Sequence, residues 1–294
     1  MDLCITGLIR HEDSKAIKNL KKMKKGLKPK NFSIIYWNYL PNSKIPTTND
    51  TAPKLYISDA FLKRVTKITD AVVIAKEPVS TEDSLNWVHP QVASLQLSPN
   101  PKATLSWLSA LANASHQLGE SENPEKLWLI TRPDFYSTRY FLFLTRKSLE
   151  RLEKNENLVF VAKRPYAHNV LSSHNGFNNL PIDHFYIGYQ NTREVFTGLP
   201  DMFREVIVGN DKRQPLVNEF LIAQFLRDQN VKLVEFPLPY LLRRDSWRLS
   251  LVPNGRNRFR KVLATIRNLK FIMKLIIQLH VAVVRPKILN KNLI

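Results

Sequence analysis

The chain has 294 residues, 44% hydrophobic and 23% charged, a globular composition that excludes wholesale disorder. Its 8 glycines and 18 prolines exclude collagen-like and low-complexity classes, and its single cysteine, Cys4, excludes an internal disulfide and a Cys-rich metal site. The 44 basic and 25 acidic residues give +19, and the stretch from Arg243 to Ile294 alone holds 13 basic residues and one acid. So concentrated a charge points to an anionic partner, either phospholipid or nucleic acid.

The N-terminal run Leu3–Ile9 is followed by Arg10, His11, Glu12 and Asp13. It lacks a basic leader and a small-residue cleavage site, so it reads as a first buried strand, Asp2–Ile9, and not as a signal peptide. Ser14–Lys28 reads as a helix, with Ile17, Leu20, Met23 and Leu27 on one face and lysines elsewhere. Asn31–Leu40 reads as a second strand, Asp59–Asp70 as a helix and Ala71–Lys76 as a third strand. Strand, helix, strand, helix, strand is the pattern of a parallel sheet with covering helices.

Pro101–Leu118 reads as a helix and Lys126–Arg132 as a fourth strand. Arg146–Lys154 reads as a short charged helix and Leu158–Lys163 as a strand. After the polar loop Ser172–Pro181, Ile182–Gly188 reads as a strand. Pro215–Asp228 reads as a helix opened by proline, and Val231–Phe236 leads into an extended stretch ending at Arg243 and Arg244. The expected fold is α/β, a Rossmann-like, mostly parallel sheet flanked by helices over residues 1–253, followed by a basic amphipathic extension over residues 254–294.

Within that extension Val262–Val284 reads as a helix. Arg267, Lys270, Lys274 and Gln278 form a polar stripe opposite a wide apolar face. A spanning helix with charges near its centre is disfavoured; a basic stripe beside an apolar face suits a helix lying in the membrane interface. Packing against the core or a partner is the other reading of the same pattern.

The phosphate-loop signatures GxGxxG and GxxxxGK[ST] are absent, as is the GxSxG of α/β hydrolases. No histidine forms HExxH or another tight ligand pair. Three local patterns stand out. In Thr131-Arg132-Pro133-Asp134 a strand ends in a cation and a carboxylate, at the strand end where open α/β sheets bind ligands; the plain alternative is a turn. In Asp183-His184-Phe185-Tyr186-Ile187-Gly188 a carboxylate opens a strand. Glu219 stands near the start of the Pro215 helix, either serving the helix dipole or facing a cleft as a general base.

In order and spacing these patterns, with Ile5-Thr6-Gly7-Leu8-Ile9-Arg10, Asn19-Leu20, Tyr36-Trp37-Asn38 and Tyr240-Leu241-Leu242-Arg243, cover about residues 3–244. The chain thereby resembles the bacterial glycosyltransferases of capsule and lipopolysaccharide synthesis, with their GT-A-like fold and Arg-Pro-Asp element. The resemblance implies a nucleotide-sugar donor and a glycan or lipid-linked acceptor. It places Gly7, Arg10, Arg132 and Asp134 at the donor, and Asp183 near donor or acceptor sugar. Glu219 is then the base on the acceptor hydroxyl. A divalent cation, Mn²⁺ or Mg²⁺, would sit at Asp134, although the chain has no DxD element.

An acceptor on a lipid carrier implies a cytoplasmic enzyme peripheral at the inner face of the membrane, held through Arg267, Lys270 and Lys274. Two other readings remain: a glycosyltransferase-like protein that has lost catalysis, and a basic nucleic-acid-binding α/β protein. The aliphatic tail and the lack of RRM, KH or zinc-finger patterns weigh against nucleic acid.

Overall fold

Hydrophobic runs bounded by polar turns become strands here, and lysine-rich amphipathic stretches become their covering helices. The computed structural model describes residues 1–9, 11–38, 57–76, 101–119, 121–123, 125–150, 157–162, 184–209, 218–236, 241–242, 273 and 277. The first unit runs β1 (Asp2–Leu8), α1 (Ser14–Leu27), β2 (Phe32–Asn38), α2 (Asp59–Val65), β3 (Ala71–Lys76). Then come α3 (Pro101–Leu118), β4 (Leu127–Thr131), the two-residue β5 (Phe135–Tyr136), α4 (Arg139–Leu149) and β6 (Leu158–Ala162). The last unit holds β7 (Phe185–Tyr189), α5 (Gln190–Arg193), a 3₁₀ turn (Glu194–Gly198), α6 (Leu199–Gly209), α7 (Asn218–Asp228), β8 (Lys232–Phe236) and β9 (Leu241–Leu242).

Seven strands form one sheet in the order β3-β2-β1-β4-β7-β6-β8, and β5 pairs with β9 apart from it. Within the seven-stranded sheet β7 alone runs antiparallel to its neighbours, β4 and β6, and the other pairings are parallel; β5 and β9 are antiparallel. This is the mostly parallel, helix-flanked α/β sheet expected of a GT-A-like fold. The chain winds from β1 out to β3 and then returns to place β4 on the other side of β1. The order thus reverses between β1 and β4, where a crevice opens at the carboxyl ends of the strands.

Two apolar layers sandwich the sheet. On one face Ile17, Leu20 and Met23 of α1, Phe61 and Val65 of α2, and Leu142 and Leu149 of α4 pack on Leu3, Ile5 and Ile34. On the other, Leu105, Leu108 and Leu111 of α3 join Phe203 of α6 and Leu221 and Leu226 of α7 over Cys4, Ile35 and Ile130. Neighbouring strand residues point to opposite faces, so the unbroken run Leu3-Cys4-Ile5 feeds both layers.

Local signals set the helix ends. Asp13 caps α1, its Oδ1 accepting from the amides of Lys15 and Ala16 at 3.0 Å each. Ser58 caps α2 in the same way. α2 ends at Val65, shorter than the expected Asp59–Asp70. The expected helix at Arg146–Lys154 lies earlier, at Arg139–Leu149, because the Thr138 hydroxyl accepts from Phe141 N and starts it there. β7 begins at Phe185 and carries Gly188 inside it, not at its end. The Trp128 ring fills the space a side chain would need: an added Cβ at Gly188 would lie 2.7 Å from Trp128 Cε2. α6 has no counterpart in the sequence reading.

Candidate functional site

β1 and β4 are parallel neighbours, so their carboxyl ends meet at one rim. Gly7 stands near the end of β1 at φ +128°, a conformation L side chains rarely adopt, and its missing Cβ would lie 3.4 Å from Pro133 Cδ and 3.7 Å from Trp107 Cζ3. Backbone, proline and indole thus close on one another where the strand order reverses.

Beyond Thr131 the chain turns through Arg132, Pro133 and Asp134. The Arg132 guanidinium donates from Nε to Asp134 Oδ1 at 2.9 Å and from Nη2 to Oδ2 at 2.8 Å. It also lies over the Trp107 ring, 5.5 Å from the centroid, a cation–π contact. Asp134 is 4% exposed, so a two-point charge-assisted pair stabilises its buried carboxylate. The loop is anchored from below: Asn19 Nδ2 of α1 donates to Phe135 O at 2.8 Å, and the Phe135 ring stacks on Phe185 at 4.9 Å. Thr131 Oγ1 donates to His184 O at 2.8 Å, tying the chain entering β7 to the same rim.

Between this loop, α1 and α2 lies a small recess, partly open to solvent. Ile9, Ala16, Leu20, Phe61 and Pro133 form its apolar wall. His11, Tyr36, Asp134 and Tyr136 supply its polar groups. Burial pushes the Tyr36 phenol well above its ordinary value, and Glu12 and Tyr136 add to the effect. Tyr36 therefore keeps its proton across the physiological range and acts as a neutral hydrogen-bonding group. Glu12, in the loop after β1, accepts from Ser58 N at 2.8 Å and from Ser58 Oγ at 2.7 Å, holding α2 against the pocket.

On the opposite side of the rim are Trp37 Nε1, Trp107 Nε1 and Thr104 Oγ1, none of which has a hydrogen-bond partner among the described residues. Trp37 and Thr104 are 3% and 0% exposed.

Of the sequence-derived candidates, Gly7, Arg132 and Asp134 meet at the crevice. Arg10 and Asp183 lie outside the described residues, as do Arg267, Lys270 and Lys274. Glu219 lies in the first turn of α7, on the α3 side of the sheet, and its side chain is outside the described set. Leu221, on that helix, is buried and Phe225 packs against the same cluster.

The described residues do not fit a divalent cation. Both Asp134 oxygens already accept from Arg132, and among the described residues no group of three or more His, Cys, Asp or Glu could hold an ion. The described cation beside Asp134 is the guanidinium.

Sequence reasoning did not single out Trp107, Tyr136 or Tyr36 as site residues. Tyr36 was legible only as part of an aromatic strand end. Its place follows from the register that sets Gly7 beside it, a relationship between strands that no local pattern contains. His11 read as one scattered histidine among seven.

No family model matches the chain, and no curated protein does. Among solved structures it is similar to mouse xyloside xylosyltransferase 1 in its apo form, at 10% identity and a TM-score of 0.36, over 79% of this chain and 83% of that one. A likeness so distant carries no argument about what this chain does.

Proposed function

We propose that this chain is a glycosyltransferase that moves a sugar from a nucleotide-sugar donor to a glycan or lipid-linked acceptor in surface polysaccharide synthesis. The observation that carries the reading is the Arg132–Asp134 pair beside a pocket at the point where the strand order reverses. The apolar wall and the Tyr36 and Tyr136 rings suit a nucleoside. Arg132, held rigid by Asp134 and Trp107, suits the diphosphate. Gly7 allows close approach of the backbone to the phosphates, with Arg10 as a further donor-side cation.

The chemistry then needs one base. The acceptor hydroxyl gives its proton to a carboxylate, Glu219, as its oxygen bonds to the anomeric carbon. The bond from that carbon to the diphosphate oxygen breaks, and its electron pair leaves on the diphosphate, where Arg132 offsets the charge. Asp183 orients a sugar hydroxyl. Because Arg132 occupies Asp134, this reading assigns the leaving-group charge to the protein's own cation. A lipid-linked acceptor places the protein in the cytoplasm at the inner membrane face. Arg267, Lys270 and Lys274 would face the lipid; Met273 and Ile277, one helical turn apart, are 55% and 58% exposed. Among the described residues no helix is long and apolar enough to cross a membrane.

The test is a thermal-shift screen of the full chain against UDP-, GDP- and CMP-sugars, with and without Mn²⁺ or Mg²⁺. Stabilisation by one nucleotide class, lost in Arg132→Gln, is the expected result. No shift with any donor under either condition would overturn the reading.

A further inference from the structure

The two helix layers differ sharply in charge. α1, α2 and α4, on one face of the sheet, hold eleven basic residues and one acid, Asp59, a net +10. On the other face α3, α5, the 3₁₀ turn, α6 and α7 hold four basic and five acidic residues, a net −1.

The excess centres on α1, which has six lysines and no acid. Lys18, Lys21, Lys22 and Lys25 are exposed, and among the described residues none of them is paired with a carboxylate. Residues three and four apart are neighbours on a helix, so Lys18–Lys21, Lys18–Lys22, Lys21–Lys25 and Lys22–Lys25 are repulsive pairs that weaken the helix. A merely solvated face mixes both signs; here the carboxylates Asp59, Asp70 and Glu150 lie on the flanking elements, and the exposed row on α1 carries lysines and no carboxylate.

The surface extends to both sides. Lys24 Nζ donates to Ile68 O at 2.6 Å and lies 3.8 Å from Asp70, drawing the end of the α2 segment onto α1. There Lys63, Arg64 and Lys67 are exposed. On the other flank Gly26 lets α4 approach closely: an added Cβ would lie 2.6 Å from Leu142 Cβ. The outer side of α4 shows Arg139, Tyr140 and Phe143, the two rings 49% and 41% exposed, and the Arg146 guanidinium lies over Phe143.

We propose that the α2–α1–α4 face docks on an anionic lipid bilayer, lysines over the headgroups and Tyr140 and Phe143 at the interface. The chemistry favours lipid over nucleic acid. Lysine is a hydrated, mobile point charge suited to a diffuse anionic surface, whereas arginine is the usual reader of individual phosphates. Exposed aromatics at a basic helix edge match the interfacial belt of membrane-bound proteins. Docking in this way holds the pocket about 10–12 Å, one helix diameter, from the headgroups, since Ala16 and Leu20 of α1 and Phe61 of α2 line it from beneath. The surface includes no residue of the C-terminal segment and is read by vesicle binding, so its failure and the failure of the transferase reading are distinguishable.

The experiment is co-sedimentation of the full chain with phosphatidylcholine–phosphatidylglycerol vesicles and with phosphatidylcholine alone, at low and high salt. Substituting Lys18, Lys21, Lys22 and Lys25 to Gln together is expected to weaken binding to the anionic vesicles about tenfold or more. The same four positions as Arg retain binding. Tyr140→Ala with Phe143→Ala weakens the salt-resistant part, and thermal unfolding confirms that each variant folds. Affinity unchanged in the Gln variant, or equal binding to neutral vesicles, overturns the proposal. So does a Gln variant that loses binding to an RNA homopolymer while keeping its vesicles. Should the Gln variant not fold, Lys18→Gln with Lys25→Gln, in the same assay and judged by the same outcomes, replaces it.

Discussion

Arg132 and Asp134 are two residues apart and joined at two points, Nε to Oδ1 and Nη2 to Oδ2, with the carboxylate almost wholly buried. The proline between them fixes the turn that brings the groups face to face. Removing either partner leaves the other's charge poorly compensated at the rim. Asp134→Ala is expected to cost about 2–4 kcal/mol in denaturant unfolding and to abolish donor-dependent transfer. Asp134→Asn keeps the shape and loses the charge, so it separates the electrostatic from the packing contribution. If Asp134→Ala matches the parent chain in both measurements, the pair has no part in the site.

Gly7 gives a second test. Its φ of +128° is strained for any L side chain, and a Cβ there would press on Pro133. Gly7→Ala should cost about 1–3 kcal/mol and push the Arg132–Asp134 turn away from β1, weakening nucleotide binding. The contrast is Gly119, also at positive φ (+68°) but with nothing among the described residues within 4 Å of its would-be Cβ. Gly119→Ala should show a similar or smaller stability loss and leave nucleotide binding unchanged. Equal binding in Gly7→Ala and the parent chain would remove Gly7 from the donor site.

Much of this frame is legible in the residues. Central parallel strands are covered on both faces and so read as unbroken apolar runs; Ala71–Lys76 appears with the expected bounds, and β1, β2 and β4 differ by one or two residues. α4 is less legible because Tyr140-Phe141-Leu142-Phe143 has a strand-like composition, and the Thr138 cap decides the matter. Gly188 reads as a strand terminus until the Trp128 ring is placed against it. In the site, Arg132 and Asp134 are legible because strand ends are where ligands bind. Trp107 and Tyr36 are not, because they reach the rim only through the packing of α3 on β1 and the register of β2.

The Asn19 carboxamide supports the rim from inside. Its Nδ2 donates to Phe135 O, while its Oδ1 has no partner among the described residues and the residue is 2% exposed. Asn19→Ala leaves the Phe135 carbonyl unsatisfied and opens a small cavity. The expected loss is about 1–3 kcal/mol, with nucleotide affinity falling as the Asp134 turn loosens. Asn19→Asp removes the donor while preserving size, and is expected to be at least as damaging. A variant losing stability with unchanged nucleotide affinity would restrict Asn19 to a packing role.

Cys4 offers a readout of the whole sheet. It lies at the centre of β1, wholly buried, and burial pushes its thiol from the ordinary 9.0 up to about 12, with a Ser33 hydrogen bond opposing the shift. The folded state thus holds the proton more tightly than the unfolded chain. The stabilisation is fully present below pH 9 and is lost as pH rises from there through about 12. Relative to Cys4→Ala, the parent chain should lose up to about 4 kcal/mol across that window; the alanine variant carries a pH-independent packing deficit instead. At neutral pH the thiol should react with iodoacetamide only when β1 opens, so the labelling rate should track global unfolding and slow when a nucleotide binds. Rapid labelling of the folded chain would show that β1 is not the protected centre that the packing of Leu3, Ile5 and Ile34 against α1 implies.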